Sequence, residues 1–565
     1  MGGQAICDVV VVGSGAAGLT AALVAARAGL RVSLFEADSL IGGTTALSEG
    51  MIWVPNCAAA RALPDAPAME DEAEAAIAYL AATSSSGFDQ DRARAYVAAG
   101  PKVLSLLAEA AGLTFTLNRA SRDYVTGAPG ATLGRRALNP DPFDARRMPR
   151  DLFRKIRPPL PTMMIWGGMS IASSDLGDFL AAGRSLRAAL RVGFLGARHL
   201  MDRLAGWKRG ARLANGNAIV ARLALANARA GVDIRTSWPV ENLMFRSGRV
   251  CGVKGPRGLI EARCGVILAS GGYNTSPRQT SGLAVTQNHI ALPPEVPAAS
   301  LGQVVAGTDA AIVETVSQPV LWAPSSVVPN GPARGGAWPH FGDRAKPGVI
   351  CIAPDGRRFA NEAAVYHDFV PRLIAATSAL PGGPQAWLVA DHRAIRRYGL
   401  GPIGPRPVRL GPYRTTGYLH SGRNLPDLAR RIGVPEQALV ETVSRFNHHA
   451  RLGEDPEFGR GTNAYDRGNG DAAHGPNPCL GALETGPFHA IRIQPGDIGT
   501  FVGLRVDPHA RVCRKDGNVV EGLWAAGNAA TPLSDGTYPA AGLTIGAAMI
   551  FGWIAATDLV ARRPQ

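Results

Sequence analysis

Residues 7–29, CDVVVVGSGAAGLTAALVAARAG, decide the fold. Cys7 to Val12 is a short β-branched run, as suits a strand buried on both faces. The turn Gly13-Ser14-Gly15-Ala16-Ala17-Gly18 follows at once, and an Ala/Leu helix runs to about residue 28. Gly13 permits the tight turn, Gly15 lets the backbone approach a pyrophosphate, and Gly18 allows close packing of helix on strand. The helix N-terminus offers unpaired N–H groups and a positive dipole end to an anion. The next strand, RVSLFEA, ends at Glu36, placed to bind ribose hydroxyls. Together these residues predict a Rossmann-type βαβ unit that binds a dinucleotide. The fingerprint alone does not say which one.

Working outward, residues 69–118 read as helical hairpins and 120–180 as a long Pro-, Gly- and Arg-rich loop region. Residues 217–230 predict a helix, and VDIRT, RVCGVKG and GVILASGG predict strands, the last returning to the core. From about 311 to 495 the composition shifts to Pro-rich loops with aromatics. The tail LWAAGN…TIGAAMIFGWIAA reads as strand, loop and helix. The expected architecture is α/β. A discontinuous nucleotide-binding domain, 1–310 and 496–565, carries an inserted α+β substrate domain, 311–495. No internal repeat is visible.

Hydrophobic residues make up 46% of the 565 and charged residues 18%, enough for a sizeable core. The formal net charge is +14. No basic stripe interleaves with aromatics, so nucleic acid is not an expected partner. Seven cysteines without a CxxC argue against disulfides or a metal site and for a reducing, cytoplasmic setting. The N-terminus lacks a basic region before its apolar run, so it reads as structure, not a leader. The apolar run Leu543 to Val560 contains Asp558 and several glycines, which favours a core helix over a membrane span. Residues 183–213 carry eight Arg/Lys and one Asp, with Leu186, Leu190, Phe194, Met201 and Leu204 near one helical face. That pattern suits either peripheral contact with an anionic membrane or a solvated surface helix.

The segment after Glu36, Gly42-Gly43-Thr44-Thr45-Ala46-Leu47-Ser48-Glu49-Gly50, resembles the GG(S/T)T…SGG segment of the fumarate reductase/succinate dehydrogenase flavoprotein superfamily. Gly522-Leu523-Trp524-Ala525-Ala526-Gly527-Asn528 resembles its GLYAAGE/N strand, and Gly542-Leu543-Thr544-Ile545-Gly546 opens an apolar helix. The resemblance implies FAD. Its binding set would be Gly13 to Gly18, Glu36, Gly42, Gly43, Thr44, Thr45, Ser48 and Gly50, then Val240, Ala269, Gly271, Gly527, Asn528, Leu543, Thr544 and Ile545. No histidine lies in 42–50, so the FAD is expected to be noncovalent.

The arginine of the fumarate reductases' HGANR-like stretch has no counterpart in Ser534-Asp535-Gly536-Thr537-Tyr538-Pro539-Ala540-Ala541-Gly542. This stretch resembles the TYPGPG segment of the 3-ketosteroid Δ1-dehydrogenases. Arg358-Phe359-Ala360-Asn361-Glu362-Ala363-Ala364-Val365-Tyr366 is similar to their RFxNEAxPY. Ser121-Arg122-Asp123-Tyr124, Arg445-Phe446-Asn447 and Ala464-Tyr465-Asp466-Arg467 also match in order.

The resemblance implies desaturation beside a ring ketone, with a hydride passed to flavin N5 and a proton to a tyrosine. Carried over, Tyr538 and the Gly542 N–H polarise the ketone, Tyr366 is the base, and Tyr124 assists. The family's DYY reads Asp123-Tyr124-Val125 here, so either 124 or 125 occupies the assisting position. PGPG reads PAAG, and GTKGG reads Gly499-Thr500-Phe501-Val502-Gly503. These changes narrow the expected pocket and leave two substrates open, a 3-ketosteroid or a small monocyclic ketone of the cyclohexanone or oxocyclohexanecarboxylate type. A quinone is the implied electron acceptor, and no second fingerprint for a nicotinamide is present. A flavin-binding redox partner without its own substrate is the remote alternative.

Overall fold

The computed structural model describes residues 5–183, 185–272, 290–291, 301–313, 316–329 and 337–563. Its main sheet grows from β1 (Ala5–Val12), which is followed by α1 (Ala16–Arg27) and β2 (Val32–Phe35). The four valines of β1 explain why it is central. Val9 and Val11 enter one apolar cluster, while Val10 and Val12 enter another on the opposite face. A strand buried on both sides reads as a continuous apolar run, and this one does.

Two helices, α2 (Met69–Thr83) and α3 (Gln90–Ala111), pack on each other. They precede α4 (Leu186–Leu204) and α5 (Asn215–Arg229). The strands β3 (Asp233–Arg235), β4 (Asn242–Arg246), β5 (Arg249–Gly255) and β6 (Gly258–Leu268) come next. β1, β2, β3 and β6 are parallel, in the order β3-β2-β1-β6. Besides β1, β6 is long enough to serve two further partners. Its first residues pair antiparallel with β5, and Val266 to Leu268 pair in parallel with a strand from the chain's end.

The region 120–180 is more ordered than its composition suggests. It holds short elements at Ala137–Pro140, Phe143–Asp144 and Arg150–Lys155. Strands this short fall below what periodicity reveals, and buried Arg136, just ahead of the first, donates to Glu72 at 2.6 Å and Asp123 at 3.0 Å.

A second sheet is antiparallel throughout. It comprises β7 (Val349–Ile352), β8 (Ala386–Ala390), β9 (His420–Gly422) and β10 (Phe488–Ile493), in the order β7-β8-β10-β9. Helix α6 (Tyr366–Thr377) lies between β7 and β8 in sequence. Buried Arg358 bridges Glu362 and Asp455 at 2.7 and 2.8 Å, which holds the loop leading into α6. Burial opposes a charged Glu362, yet Arg358 and Arg460 hold its carboxyl down to about 2. β11 (Gly496–Thr500) then pairs with Val320–Trp322, stitching the two regions together.

The chain returns to the first sheet through β12 (Arg511–Cys513) and β13 (Val519–Ala525) and ends in α7 (Leu543–Ala561). β13 is the parallel partner of β6. Helix α7 is long and apolar enough to cross a membrane, but Leu543, Ile550, Phe551, Ala555 and Leu559 are buried against the protein and the helix packs on α1 and α3. Asp558 accepts from the Trp524 indole at 3.0 Å, which accounts for a charge in this helix.

Candidate active site

The first half of the site is a cradle of backbone. At Gly18 a Cβ would sit 1.9 Å from the Gly13 carbonyl oxygen, so no other residue closes this turn. The N-cap of α1 is Gly15, with no side chain to satisfy the helix N-terminus. Glu36 holds the loop together. Its carboxylate accepts from the Ser14 N–H at 3.0 Å, the Ser14 hydroxyl at 2.5 Å and the Asp38 N–H at 2.9 Å. Ser14 Oγ in turn accepts from the Gly42 N–H at 2.9 Å, and Thr45 Oγ1 accepts from the Ala16 N–H at 3.0 Å. Ser48 donates to the Thr45 carbonyl at 2.7 Å and accepts from the Gly50 N–H at 3.1 Å.

Ala269 and Gly271 follow the end of β6, and Gly527 and Asn528 follow the end of β13. Between Asn528 and the start of α7 opens a small cavity lined by Thr500, Phe501, Leu543 and Thr544. Ile545 is half-buried in the same first turn. Val240 is buried in the cluster containing Phe35 and Trp238, whose N–H donates to the Glu36 carbonyl at 2.9 Å.

These residues suit FAD. Two helices, α1 and α7, begin in this region at glycine N-caps that carry no side-chain cap, with Thr45 Oγ1 taking the Ala16 N–H of α1. The remaining donor set is Ser, Thr and Asn, without a histidine in 42–50, which matches noncovalent binding.

The second half is a cluster of tyrosines from four separate segments. Tyr124, Tyr366 and Tyr538 form a triangle with ring centroids 6.1, 5.8 and 5.9 Å apart. Tyr465 stands 4.8 Å from Tyr124, and Phe341 stands 4.7 Å from Tyr366. The Gly542 N–H donates to the Tyr538 hydroxyl at 3.1 Å. Gly542 has φ +86°, and a Cβ there would lie 2.5 Å from the Met51 backbone, so glycine is required to turn its N–H toward the tyrosine.

Each tyrosine is held by its neighbours. The Tyr124 N–H donates to the Pro539 carbonyl at 2.8 Å, and the Tyr79 hydroxyl donates to the same oxygen at 2.6 Å. The Tyr124 and Tyr538 loops are therefore tied directly. Val125 is 43% exposed, so of the two candidates it is Tyr124 that joins the cluster. Tyr366 opens α6, and the Arg344 guanidinium donates to the Glu362 and Ala364 carbonyls at 2.5 and 3.1 Å just before it. Burial pushes Tyr124 and Tyr366 well above the usual phenol range, with repulsion from Tyr465 and Tyr538 adding to it at Tyr124 and from Tyr124 and Tyr538 at Tyr366. Burial also raises Tyr538, opposed by the Gly542 N–H. Tyr465 is pushed up to about 12 by burial. All four are phenols, ready to donate.

Two residues escaped the sequence reading. Tyr465 was matched in a motif without a role, and only the fold brings its ring to Tyr124. His367 carried no signal. Its Nδ1 accepts from the Trp322 N–H at 3.2 Å, and its Nε2 lies 3.0 Å from the Gly536 carbonyl. Burial pushes its pKa down to about 4, so it is neutral at pH 7 and ties α6 to the Tyr538 loop.

The geometry agrees with comparisons to known proteins. The profile of the FAD binding domain family matches residues 8–545. The chain is 35% identical over 98% of its length to the 4-oxocyclohex-2-ene-1-carboxylate 5-dehydrogenase of Sinomonas cyclohexanicum, covering 93% of that protein. It is 32% identical to the 3-oxosteroid 1-dehydrogenase of Mycolicibacterium smegmatis, covering 98% of this chain and 97% of that one. The structure of the 3-ketosteroid Δ1-dehydrogenase from Sterolibacterium denitrificans with 1,4-androstadiene-3,17-dione superimposes with a TM-score of 0.88 at 29% identity, over 99% of this chain and 100% of the other.

The fold and site thus define a FAD-dependent oxidoreductase of mixed α/β architecture that acts on CH–CH groups. The chain belongs to the FAD binding domain family and, within it, to the 3-ketosteroid Δ1-dehydrogenases.

Proposed function

We propose that this protein desaturates a cyclic ketone beside its carbonyl, as in 1,2-dehydrogenation of a 3-ketosteroid. The observation that carries this reading is the Gly542 N–H at 3.1 Å from the Tyr538 hydroxyl, with Tyr366 beside them. A ketone oxygen placed beside both, where it replaces Tyr538 as acceptor of the Gly542 N–H, receives a hydrogen bond from each, and the C2 proton becomes acidic as enolate charge develops there. Burial favours the protonated Tyr538, which suits a donor. Tyr366 acts in its phenolate form, which burial keeps a minor species, and becomes the phenol on taking the C2 proton; the Tyr124 hydroxyl is its hydrogen-bond partner and orients it. Bound FAD supplies the acceptor for the hydride leaving C1. The carbon–carbon single bond loses one proton and one hydride and becomes a double bond.

In this reading the FAD is held by the glycine turn, the 42–50 segment, the 269–271 and 527–528 turns and the start of α7. The Rossmann-type FAD-binding domain is 1–310 with 496–565, and 311–495 is the inserted substrate domain. A quinone reoxidises the flavin, and the protein works in the cytoplasm with the 183–213 segment against a membrane.

A monocyclic ketone is the second reading. Buried Phe501 lines the cavity, its ring 5.7 Å from His367, and Ala540 is buried beside the Tyr538 loop. Such bulk favours a smaller ring. The test is anaerobic mixing of the holoenzyme with a 3-ketosteroid, with 4-oxocyclohexanecarboxylate and with a saturated alcohol. Bleaching of the oxidised flavin band by either ketone is expected, and its rate ratio selects the substrate. No bleaching by any cyclic ketone overturns the proposal.

A further inference from the structure

Arg92 is a buried cation in the first turn of α3, only 6% exposed. A guanidinium stays protonated in a protein, so this is a permanent positive charge. Lone buried charges are costly, and the positive end of the α3 dipole adds to the cost here. No acid among the described residues forms an ion pair with it: Asp89 caps α3 by accepting the Arg92 backbone N–H at 3.0 Å, and Asp507 is held by Arg511 at 2.7 Å. What the guanidinium does touch is neutral. One terminal nitrogen donates to Thr531 Oγ1 at 3.0 Å, the other donates to the Thr531 carbonyl at 2.8 Å, and the central carbon lies 5.3 Å from the middle of the Phe551 ring. Arg92 Nε is buried with no hydrogen-bond partner among the described residues.

The charge borders the cofactor region. Arg92 and Thr531 line the same small cavity as Gly527, Asn528, Leu543 and Thr544. The turn after β13 and the start of α7 therefore meet beside a guanidinium. Helix α7 begins at Gly542 with no side-chain cap, so its positive end borders this cavity as well. No Asp or Glu is among the lining residues. Two sources of positive potential around one enclosed space, with no acid between them, favour a group that is negative or becomes so.

Resting on the placement of the flavin ring at the 527–528 turn and the start of α7, we propose that Arg92 raises the reduction potential of the flavin by stabilising the negative charge the ring gains. Oxidised flavin is neutral. A hydride brings it two electrons and one proton, so the reduced ring carries one negative charge, and nearby protein charge tunes that change. The N-terminus of α7 supplies a partial positive charge, and Arg92 adds a whole one. The C1 hydrogen leaves as hydride from an ordinary carbon, which a better electron acceptor favours. The same pairing gives Arg92 the anion that its burial lacks. Arg92 acts through its field on the ring and is a positioning residue, with no contact to the ketone.

The test is the midpoint potential of the flavin in the holoenzyme, measured by anaerobic equilibration with reference dyes, together with the affinity of flavin N5 for sulfite. Arg92→Gln is expected to shift the equilibrium at least tenfold toward oxidised flavin, which is about 30 mV for a two-electron couple. Sulfite binding is expected to weaken by a similar factor, with FAD content unchanged. Arg92→Lys keeps the charge but not the two-pronged grip on Thr531, and is expected to stay within threefold of wild type in both measurements. A Gln variant with wild-type potential and sulfite affinity overturns the proposal, even if its KM for a ketone carboxylate rises, since Arg92 then clamps substrate. So does a Lys variant that falls as far as the Gln variant, since the grip on Thr531 is then what matters. A Gln variant that cannot take up FAD also overturns it, because Arg92 then serves cofactor binding. Asn528→Trp tests the placement separately: it is expected to expel FAD, and full FAD content there refutes the position of the ring rather than the role of the charge.

Discussion

Tyr538→Phe isolates one oxygen atom. The ring is buried and packed against Tyr124, Tyr366 and His367, and a phenylalanine ring fills the same space. What disappears is the hydroxyl that accepts from the Gly542 N–H at 3.1 Å and that would donate to the ketone oxygen. In the resting enzyme the Gly542 N–H loses its acceptor, at a cost of about 1–3 kcal/mol if it stays dry. The fold and the cofactor cradle, which lie elsewhere, persist. In the reaction one of two donors to the developing oxyanion is lost. Removing one such donor costs roughly 10²–10³ in rate, or about 2.7–4 kcal/mol of barrier. The assay is rapid anaerobic mixing with ketone, following decay of the oxidised flavin band, alongside the ratio of bound FAD to protein. The expected result is full FAD content with flavin reduction about a hundredfold slower. A variant that reduces its flavin within threefold of wild type would falsify the assignment of Tyr538 as a ketone donor.

Other perturbations probe different parts of the same site. Because burial and its tyrosine neighbours raise Tyr366, its reactive deprotonated form grows roughly tenfold per pH unit through neutrality, so kcat/KM should climb steadily from pH 7 to 9 and Tyr366→Phe should lose that climb with most of the rate; a flat wild-type profile rules Tyr366 out as the base. His367, pushed down to about 4 by burial, binds protons more readily when unfolded, so stability is full above the free histidine value of about 6.5 and declines by up to about 3 kcal/mol as pH falls to about 4. Denaturant midpoints should show this decline, and His367→Asn should flatten it; identical pH dependence in both proteins excludes His367 as the group responsible. Gly18→Val places its Cβ 1.9 Å from the Gly13 oxygen, and the purified variant should be colourless apoprotein. Recovery of stoichiometric FAD would show that the turn closes some other way.

Much of this site was legible in the chain before any coordinates. The βαβ reading of residues 7–36 follows from local rules: a valine run, glycines at the turn and an acid after the second strand, each interacting with residues close in sequence. The structure adds that Glu36 itself fastens the turn through Ser14, a contact spacing cannot reveal. The short strands of 120–180 stayed hidden because two to four residues carry no periodicity and their partners lie far off in sequence, at Ile52–Trp53 and Arg212–Leu213.

The residue types of the tyrosine site could be named from motifs, but their meeting could not. Tyr124, Tyr366, Tyr465 and Tyr538 lie on segments 73 or more residues apart, and their convergence depends on carbonyls such as those of Pro539 and Gly536 that any sequence would possess. The choice of Tyr124 over Val125 needed the loop's direction, which the Pro539 bond sets. The two faces of α4 divide in the same way. Sequence determined that the helix is basic and amphipathic, because the period of its apolar residues is a property of the helix alone. Only the tertiary structure decided that the apolar stripe faces outward, because Ala188, Leu195 and Asp202 had already committed the opposite face to the protein.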